Sequence, residues 1–421
     1  MFLPEGPAFR LPFCPQLGKH NLVYLCIVVG CLLKCPGKVT KLPKDRWVTI
    51  LAVLSIVGGA CTGLTNGDAL IFGEAGAVVI PAMTVKDGLF VGISEFFPSC
   101  VAFYIGYALF RQREDVERLL VWLGVAGLIY SLFAIVEMRM SPQFHKWVYG
   151  YGMGGFEQTI RWGGYRPMVF MPHGLALARL LMTTTLALFV LTKIRREILG
   201  LPIRPLAWIH AVILVLCRST GAIGLCLIGI VSILYLKPKR QLLLSTILAV
   251  GTAAYPILRA ADLFPVTSLL DAAGSIQEDR RGSLGFRFAN EDQLLARARE
   301  RIIFGWGTYG RNRVFDEAGR DVCVTDGYWI LTLGIAGIVG FVVAFGLLLW
   351  PVVLAKIRLR RRGDRTDQIL LAGLASIVVL AAIDYIPNGL WCVHPYLFAG
   401  VLTRRLRELK SDSPSAPGQQ L

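Results

Sequence analysis

The sequence predicts an all-α polytopic membrane protein with about eleven transmembrane helices (10–12). The first observation is composition: of 421 residues, 55% are hydrophobic and 17% are charged, whereas soluble domains carry about 25% charged residues. The mean hydropathy of the chain is +0.58. The second observation is that apolar runs long enough to cross a bilayer recur evenly along the chain. Together these features exclude a chain of soluble domains.

The apolar runs follow one another with short loops between them. A span needs about 20 mostly apolar residues, and eleven runs come near this length. The two runs that flank Arg218 are short. We predict spans over residues 20–36, 47–64, 89–110, 117–137, 168–192, 205–217, 220–236, 241–259, 327–355, 368–386 and 389–403.

Lysine and arginine are unevenly distributed over the loops. Clusters of them follow the first, third, fifth, seventh, ninth and last spans, and the other short loops carry few. Because cytoplasmic loops are enriched in Lys and Arg, this alternation places the N-terminus outside and the C-terminus inside. Topology therefore explains most of the net charge of +16, and we expect no nucleic-acid partner.

Two longer segments, residues 138–167 and 260–326, fall on the extracytoplasmic side in this topology. They are rich in cations, which is the opposite of what the topological rule predicts. Topology does not explain these cations, so they are the main indication of function. They are Arg139, Lys146, Arg161, Arg166, Arg280, Arg281, Arg287, Arg297, Arg299, Arg301, Arg311, Arg313 and Arg320.

The second of these segments contains a predicted amphipathic helix. Apolar residues at nearly helical spacing place it over 291–304, lying along the outer membrane face. Gly305 and Gly307 end the helix, since glycine tolerates the left-handed backbone of a tight turn. The chain then divides into an N-terminal transmembrane bundle (1–259), an extracytoplasmic catalytic loop (260–326), C-terminal transmembrane helices (327–410) and a disordered tail (411–421).

Basic residues also lie where spans meet the outer side. A guanidinium near the bilayer binds a partner or snorkels to the interface, and for Arg218, in ILVLCRSTGAIGLC, we favour phosphate binding. Arg166 and His173 stand in GYRPMVFMPHGLALAR. Arg166 is a candidate for anion binding, whereas a histidine such as His173 more often packs with a hydrogen bond. Arg179, deeper in the span, is a candidate for a structural ion pair, with Glu137 or Glu95 as its partner.

Acidic residues at the outer side are fewer. Asp326 lies at the outer mouth of span nine, in VTDGYW. It is a candidate general base toward a sugar hydroxyl, or a helix cap, since aspartate is favoured at that position. Asp384 and His394 flank the last outer turn and are candidates to line the same cavity.

An array of arginines with one or two carboxylates suits a diphosphate substrate. Arginine binds phosphate oxygens in a bidentate manner, and a fixed array neutralises a diphosphate leaving group without Mg²⁺. The sequence has no Cys/His zinc spacing or other metal-ligand cluster, so we expect no metal and no cofactor. We assign catalysis to Arg287, Arg218 and Asp326, and substrate binding to Arg166, His173, Arg297, Arg301 and Tyr328.

Four segments between residues 155 and 345 carry recognisable patterns in a fixed order. They are GYRPMVFMPHGLAL, CRSTGAIGLCLIGIV, LGFRFANEDQLLARARERIIFGWGTYG and VTDGYWILTLGIAGIVGF. In this order they resemble the O-antigen ligase and O-antigen polymerase superfamily of bacterial inner-membrane glycosyltransferases. The resemblance aligns Arg218 with the arginine of the family's SRgg span. It aligns Arg287 with the arginine that precedes the amphipathic helix.

The resemblance implies a fold like that of C-type glycosyltransferases and a metal-independent enzyme of the bacterial inner membrane, with its active site facing the periplasm. Its expected partners are the bilayer, an undecaprenyl diphosphate-linked oligosaccharide as donor, and other polysaccharide-assembly proteins. Ligases of the family place a histidine where this chain has Asp326 followed by Gly327. This departure favours a polymerase or an exopolysaccharide enzyme over a ligase.

Two other functions fit the same composition. A transporter or exporter of an anionic glycolipid or solute would line its path with arginines, although transporters often contain inverted repeats, and the sequence shows none. A scaffold within a polysaccharide-secretion complex would also be a multi-pass membrane protein. In a scaffold, neutralising the outer arginines would leave chain assembly intact.

Overall fold

The computed structural model describes residues 3–6, 18–39, 43, 45–73, 78–161, 163–276, 278–359 and 364–411. Over these residues the chain is mostly helical, and its sheet consists of three two-stranded hairpins. Residues 412–421 of the predicted tail lie outside the described residues. The helices are α1 (Lys19–Lys34), α2 (Pro36–Val39), α3 (Arg46–Thr65), α4 (Val85–Val91), α5 (Phe97–Leu109), α6 (Arg113–Met140), α7 (Phe144–Tyr149), α8 (Gly174–Leu191), α9 (Ile203–Leu216), α10 (Thr220–Tyr235), α11 (Pro238–Ala260), α12 (Val266–Ile276), α13 (Glu278–Arg299), α14 (Tyr328–Arg358), α15 (Arg365–Asp384) and α16 (His394–Ser411).

The hairpins and irregular turns are short. A π-helical turn (Gly92–Phe96) joins α4 to α5, and a 3₁₀ turn (Phe156–Thr159) precedes the second hairpin. The antiparallel hairpins pair β1 (Leu70–Phe72) with β2 (Val78–Ile80), β3 (Ile160–Arg161) with β4 (Gly164–Tyr165), and β5 (Glu197–Ile198) with β6 (Leu201–Pro202).

Seven helical segments in the described part of the chain are long and apolar enough to cross a membrane, and three shorter apolar helices accompany them. This confirms an all-α, multi-pass membrane protein. The number of about eleven spans stays a prediction. The seven are Arg46–Thr65, Val85–Leu109, Arg113–Met140, Gly174–Leu191, Pro238–Ala260, Tyr328–Arg358 and Arg365–Asp384; the shorter ones are Leu25–Lys34, Ile203–Leu216 and Thr220–Tyr235.

The centre of the bundle is formed by α8, α14 and α15. Apart from Arg179 and three threonines, helix α8 is apolar on all sides, which is typical of a helix surrounded by protein, and its side chains are buried along most of its length. It packs against α6, α9, α10 and α15, whereas α14 packs against α3, α11, α15 and α16. The peripheral helices α3, α6 and α11 leave apolar side chains exposed, as expected of helices that face lipid.

Loops that the sequence places on one side of the membrane meet at one end of the bundle. At the predicted cytoplasmic end, three ion pairs link separate helices: Arg113 with Asp364, Arg405 with Asp367, and Arg407 with Asp45. The turn between α9 and α10, the start of α8 and the start of α14 lie at the other end. We call this other end the outer end.

Helix α13 differs from its prediction in length and in contacts. We predicted a helix over 291–304 that lies on the bilayer, and the structure has Glu278–Arg299. Its apolar residues Leu294, Leu295 and Ala298 are buried, and the helix packs against α14 and α12. These three apolar residues of α13 are therefore packed against protein.

Helix α14 is interrupted at Gly337, whose φ of 64° and ψ of −161° are non-helical. The segment that follows α13 fills the interruption. The backbone N–H groups of Trp306 and Gly307 donate to the carbonyls of Gly334 and Ile335, both at 2.8 Å, and Ile338 N–H donates to the carbonyl of Ile302 at 2.8 Å. A break in a membrane helix is tolerated where such contacts satisfy the backbone. These bonds fix the segment 302–307, directly after α13, against α14.

Candidate functional site

Arg218 occupies the turn between α9 and α10. Its φ of 57° lies in the left-handed region, which costs an L-residue other than glycine roughly 1–2 kcal/mol. Its guanidinium donates to the backbone carbonyl of Arg161 on β3. It lies so close to Gly164 on β4 that a Cβ there would overlap its nitrogen atoms. The strained turn thus places the guanidinium of Arg218 against the β3–β4 hairpin.

Arg166 follows the same hairpin and is buried, with 4% of its surface exposed. Its Nη2 donates to the carbonyl of Arg218 at 3.1 Å, and its side-chain stem lies against Gly174 at the start of α8. Its Nε has no hydrogen-bond partner among the described residues. Burial, together with Arg161 and Arg287, lowers the pKa of Arg166 to about 10. The group therefore remains a cation at neutral pH.

Arg287 on α13 forms an ion pair with Asp326. The distance from Arg287 Nε to Asp326 Oδ2 is 3.5 Å, and Arg287 Nη1 donates to the carbonyl of Pro387 at 3.0 Å. Helix α14 begins at Tyr328 with Gly327 at its N-cap position. The alternative that Asp326 caps this helix is therefore wrong. Both side chains of the pair are partly exposed, at 28% and 34%, so a ligand can reach them.

His173 is the N-cap residue of α8. Its Nδ1 accepts a hydrogen bond from Leu175 N–H at 3.0 Å, so Nε2 carries the proton and donates to Gln158 Oε1 at 3.0 Å. Burial, then the charges of Arg166, Arg161 and Arg287, lower the pKa of His173 to about 4. The imidazole is thus neutral at physiological pH and positions the start of α8 beside the arginines.

Arg297 and Arg301 lie in a different cluster from Arg287. Ten residues of helix, or about 15 Å, separate Arg297 from Arg287. Their guanidinium groups stack on Trp306, at 3.4 Å and 4.3 Å from the ring centroid. Arg301 Nη2 also donates to both carboxylate oxygens of Asp68 at 2.9 Å. Both arginines were predicted to bind substrate. In the structure they stack on Trp306, and Arg301 also links the end of α13 to the loop after α3.

Tyr328, also predicted to bind substrate, is packed inside the bundle. It is 5% exposed, and its ring lies 5.0 Å from that of Tyr385 and 6.0 Å from that of Phe345. Its N–H donates to the carbonyl of Tyr385 at 2.9 Å. These contacts join the start of α14 to the end of α15.

The partner of Arg179 is Asp384, and neither of the two predicted glutamates. The two side chains are almost fully buried and form an ion pair. Asp384 also accepts a hydrogen bond from Asn388 Nδ2 at 2.8 Å. Because a buried charge is stable only when it is paired, this pair fixes the turn that includes Pro387, which is the turn that Arg287 contacts.

The sequence interpretation missed a buried network around Arg259 and Glu291. Arg259 Nε lies 3.4 Å from Glu291 Oε2, and the carboxylate of Glu291 accepts hydrogen bonds from Tyr255 Oη at 2.8 Å and Trp329 Nε1 at 3.1 Å. The network ties α13 to α11 and α14, and so positions the helix that carries Arg287. The sequence did contain a signal for this network, because Arg259 lies in the last turn of an apolar span. A charge at such a position requires a partner.

Four arginines from three parts of the chain, namely the β3–β4 hairpin segment, the turn between α9 and α10, and α13, therefore meet at the outer end. We call Arg161, Arg166, Arg218 and Arg287 the outer arginine cluster; Arg161 was counted among the outer cations but not assigned to the site. Asp326 forms an ion pair with Arg287 of this cluster. The excess of cationic charge suits a polyanion such as a diphosphate. No family model, no curated protein and no solved structure matches the chain.

Proposed function

We propose that the protein is a membrane glycosyltransferase that joins undecaprenyl diphosphate-linked glycan units in cell-surface polysaccharide synthesis. It would act as a polymerase, or by ligase-like transfer, at the periplasmic face of the bacterial inner membrane. The observation that carries the proposal is the outer arginine cluster. Two of its four members, Arg218 and Arg287, are aligned with arginines of the O-antigen enzymes by the resemblance, and Arg166 lies in another of the segments that resemble them.

In the proposed reaction, Arg218 and Arg287 bind the diphosphate of the donor and Arg166 assists them or binds the acceptor's carrier. The acceptor hydroxyl forms a new bond to the anomeric carbon while the bond from that carbon to the diphosphate oxygen breaks. Asp326 orients the hydroxyl and takes its proton. The undecaprenyl diphosphate leaves as an anion, which the guanidinium groups stabilise.

The proposal is tested with the full chain in proteoliposomes that contain undecaprenyl diphosphate-linked oligosaccharide. We expect Arg287→Ala and Arg218→Ala each to lose most of the polymeric product while the protein inserts normally. The control is Arg320→Ala, because Arg320 belongs to the same predicted outer loop but pairs with Asp316 and is 80% exposed. Product at the wild-type level in both cluster variants would refute the assignment.

A transporter of an anionic glycolipid remains the second candidate, and the interruption of α14 at Gly337 favours it, because transporters often contain broken membrane helices. The same vesicles distinguish the two functions. Movement of labelled glycolipid across the membrane with no change in glycan length would support transport, and longer glycans would support the transferase.

A further inference from the structure

Glu137, in the last turn of α6, is a buried carboxylate that the proposed reaction does not use. It is 1% exposed, and it accepts three hydrogen bonds from backbone N–H groups. Its Oε1 accepts from Phe144 at 2.9 Å, and its Oε2 accepts from Met168 at 2.8 Å and from Val169 at 2.6 Å. Hydrogen bonds to an ionised carboxylate are shorter and stronger than those between neutral groups.

Two of these donors lie in the short segment between Arg166 and His173. Within that segment, Met171 N–H donates to the carbonyl of Met168 at 2.9 Å, which closes a turn. Val169 has a φ of 56°, a conformation that is unusual for a β-branched residue. The local sequence therefore does not favour this turn, and a contact with another part of the chain is needed to stabilise its conformation.

We propose that Glu137 is a positioning residue for the diphosphate site, because its carboxylate fixes the strained Met168–Val169 turn that aims Arg166. Arg166 lies two residues before this turn and contacts the turn that holds Arg218. Without the carboxylate, the turn relaxes and Arg166 loses its alignment with Arg218 and Arg287. This inference rests on the proposed function for the identity of the ligand.

The test compares Glu137→Gln with the wild-type full chain in detergent. The glutamine side chain keeps the volume, but its NH₂ group cannot accept from an N–H donor. The matched control is Asp367→Asn, since Asp367 is also buried at 6% exposure but pairs with Arg405 at the opposite end of the bundle. The probe is inorganic pyrophosphate, with affinity measured by calorimetry. Hydrogen–deuterium exchange is followed in the peptide that covers 166–174.

We expect Glu137→Gln to weaken pyrophosphate binding about tenfold and to expose the amides of Met168 and Val169 to exchange. Asp367→Asn should change neither quantity, and Glu137→Asp, which keeps the charge, should recover part of both. Unchanged exchange in the 166–174 peptide of Glu137→Gln would overturn the inference. The inference would also be overturned if Glu137→Gln exposed these amides to exchange but bound pyrophosphate as tightly as the wild type.

Failure of the proposed function gives a different result. If the wild-type chain binds no pyrophosphate and transfers no glycan, the diphosphate site is refuted and the proposed positioning role falls with it. The exchange data then report only whether the carboxylate holds the turn. If Glu137→Gln does not fold, Glu137→Asp carries the same comparison, with a smaller expected loss of affinity.

Discussion

The Nε atom of Arg287 lies 3.5 Å from Oδ2 of Asp326, which joins α13 to the start of α14 at the outer end of the bundle. Both residues are partly exposed, so in the proposed reaction an incoming diphosphate would compete with Asp326 for the guanidinium. Binding of the donor would then release the carboxylate beside the acceptor hydroxyl. The pair thus links recognition of the donor to activation of the acceptor in the proposed reaction.

The first prediction concerns this carboxylate. We expect Asp326→Asn to lower the turnover of glycan transfer about 100-fold, the usual contribution of a general base, and also to lower the KM for the donor, because the carboxylate that competes for Arg287 is removed. Steady-state kinetics in proteoliposomes measure both parameters. Asp321→Asn is the control, because Asp321 is nearby in sequence but pairs with Arg313. Normal turnover in Asp326→Asn would exclude a proton-accepting role.

The second prediction concerns the space beside Arg218. A Cβ at Gly164 would overlap the guanidinium of Arg218, and the end of that flexible side chain can move aside at low cost. We therefore expect Gly164→Ala to fold normally but to lose at least about tenfold in transfer activity. In Gly221→Ala the new methyl group meets open space, so activity should be retained. Equal activity in the two variants would contradict the placement of Arg218.

The third prediction concerns the interruption in α14. Gly337 has a backbone conformation that is almost restricted to glycine, and a Cβ there would overlap the carbonyl of Ile303. We expect Gly337→Ala to lower the free energy of unfolding by about 3 kcal/mol or more. Gly251→Ala, in open space on α11, should have little effect. Unfolding midpoints in detergent test this, and similar midpoints for the two variants would be contrary to the expectation.

The fourth prediction concerns pH and His173. Its folded-state pKa of about 4 lies below the ordinary value of 6.5, so the folded protein binds fewer protons than the unfolded chain between these values. The contribution of His173 to stability is therefore complete above pH 6.5 and is lost as the pH falls toward 4. His173→Asn keeps a capping side chain but does not titrate. Unfolding measured across this pH range should show a weaker pH dependence in the variant, and equal slopes would contradict the assignment.

The sequence alone determined the class of the protein and its candidate cations. Apolar runs of membrane length predict helices without reference to any neighbour, because the bilayer requires each spanning backbone to satisfy its own hydrogen bonds. The alternation of basic loops also assigned Arg166, Arg218 and Arg287 to one side. These are local properties, so the chain's pattern suffices to predict them.

Only the tertiary structure decided which of these residues lie together. Arg161 belongs to the cluster because its carbonyl accepts a hydrogen bond from Arg218. Arg297 and Arg301 instead stack on Trp306, and Arg301 pairs with Asp68. Partners of this kind are distant in the sequence, and many carboxylates could pair with a given arginine. The choice depends on where helix ends meet and on which buried donors remain unsatisfied. Those quantities exist only in the folded bundle.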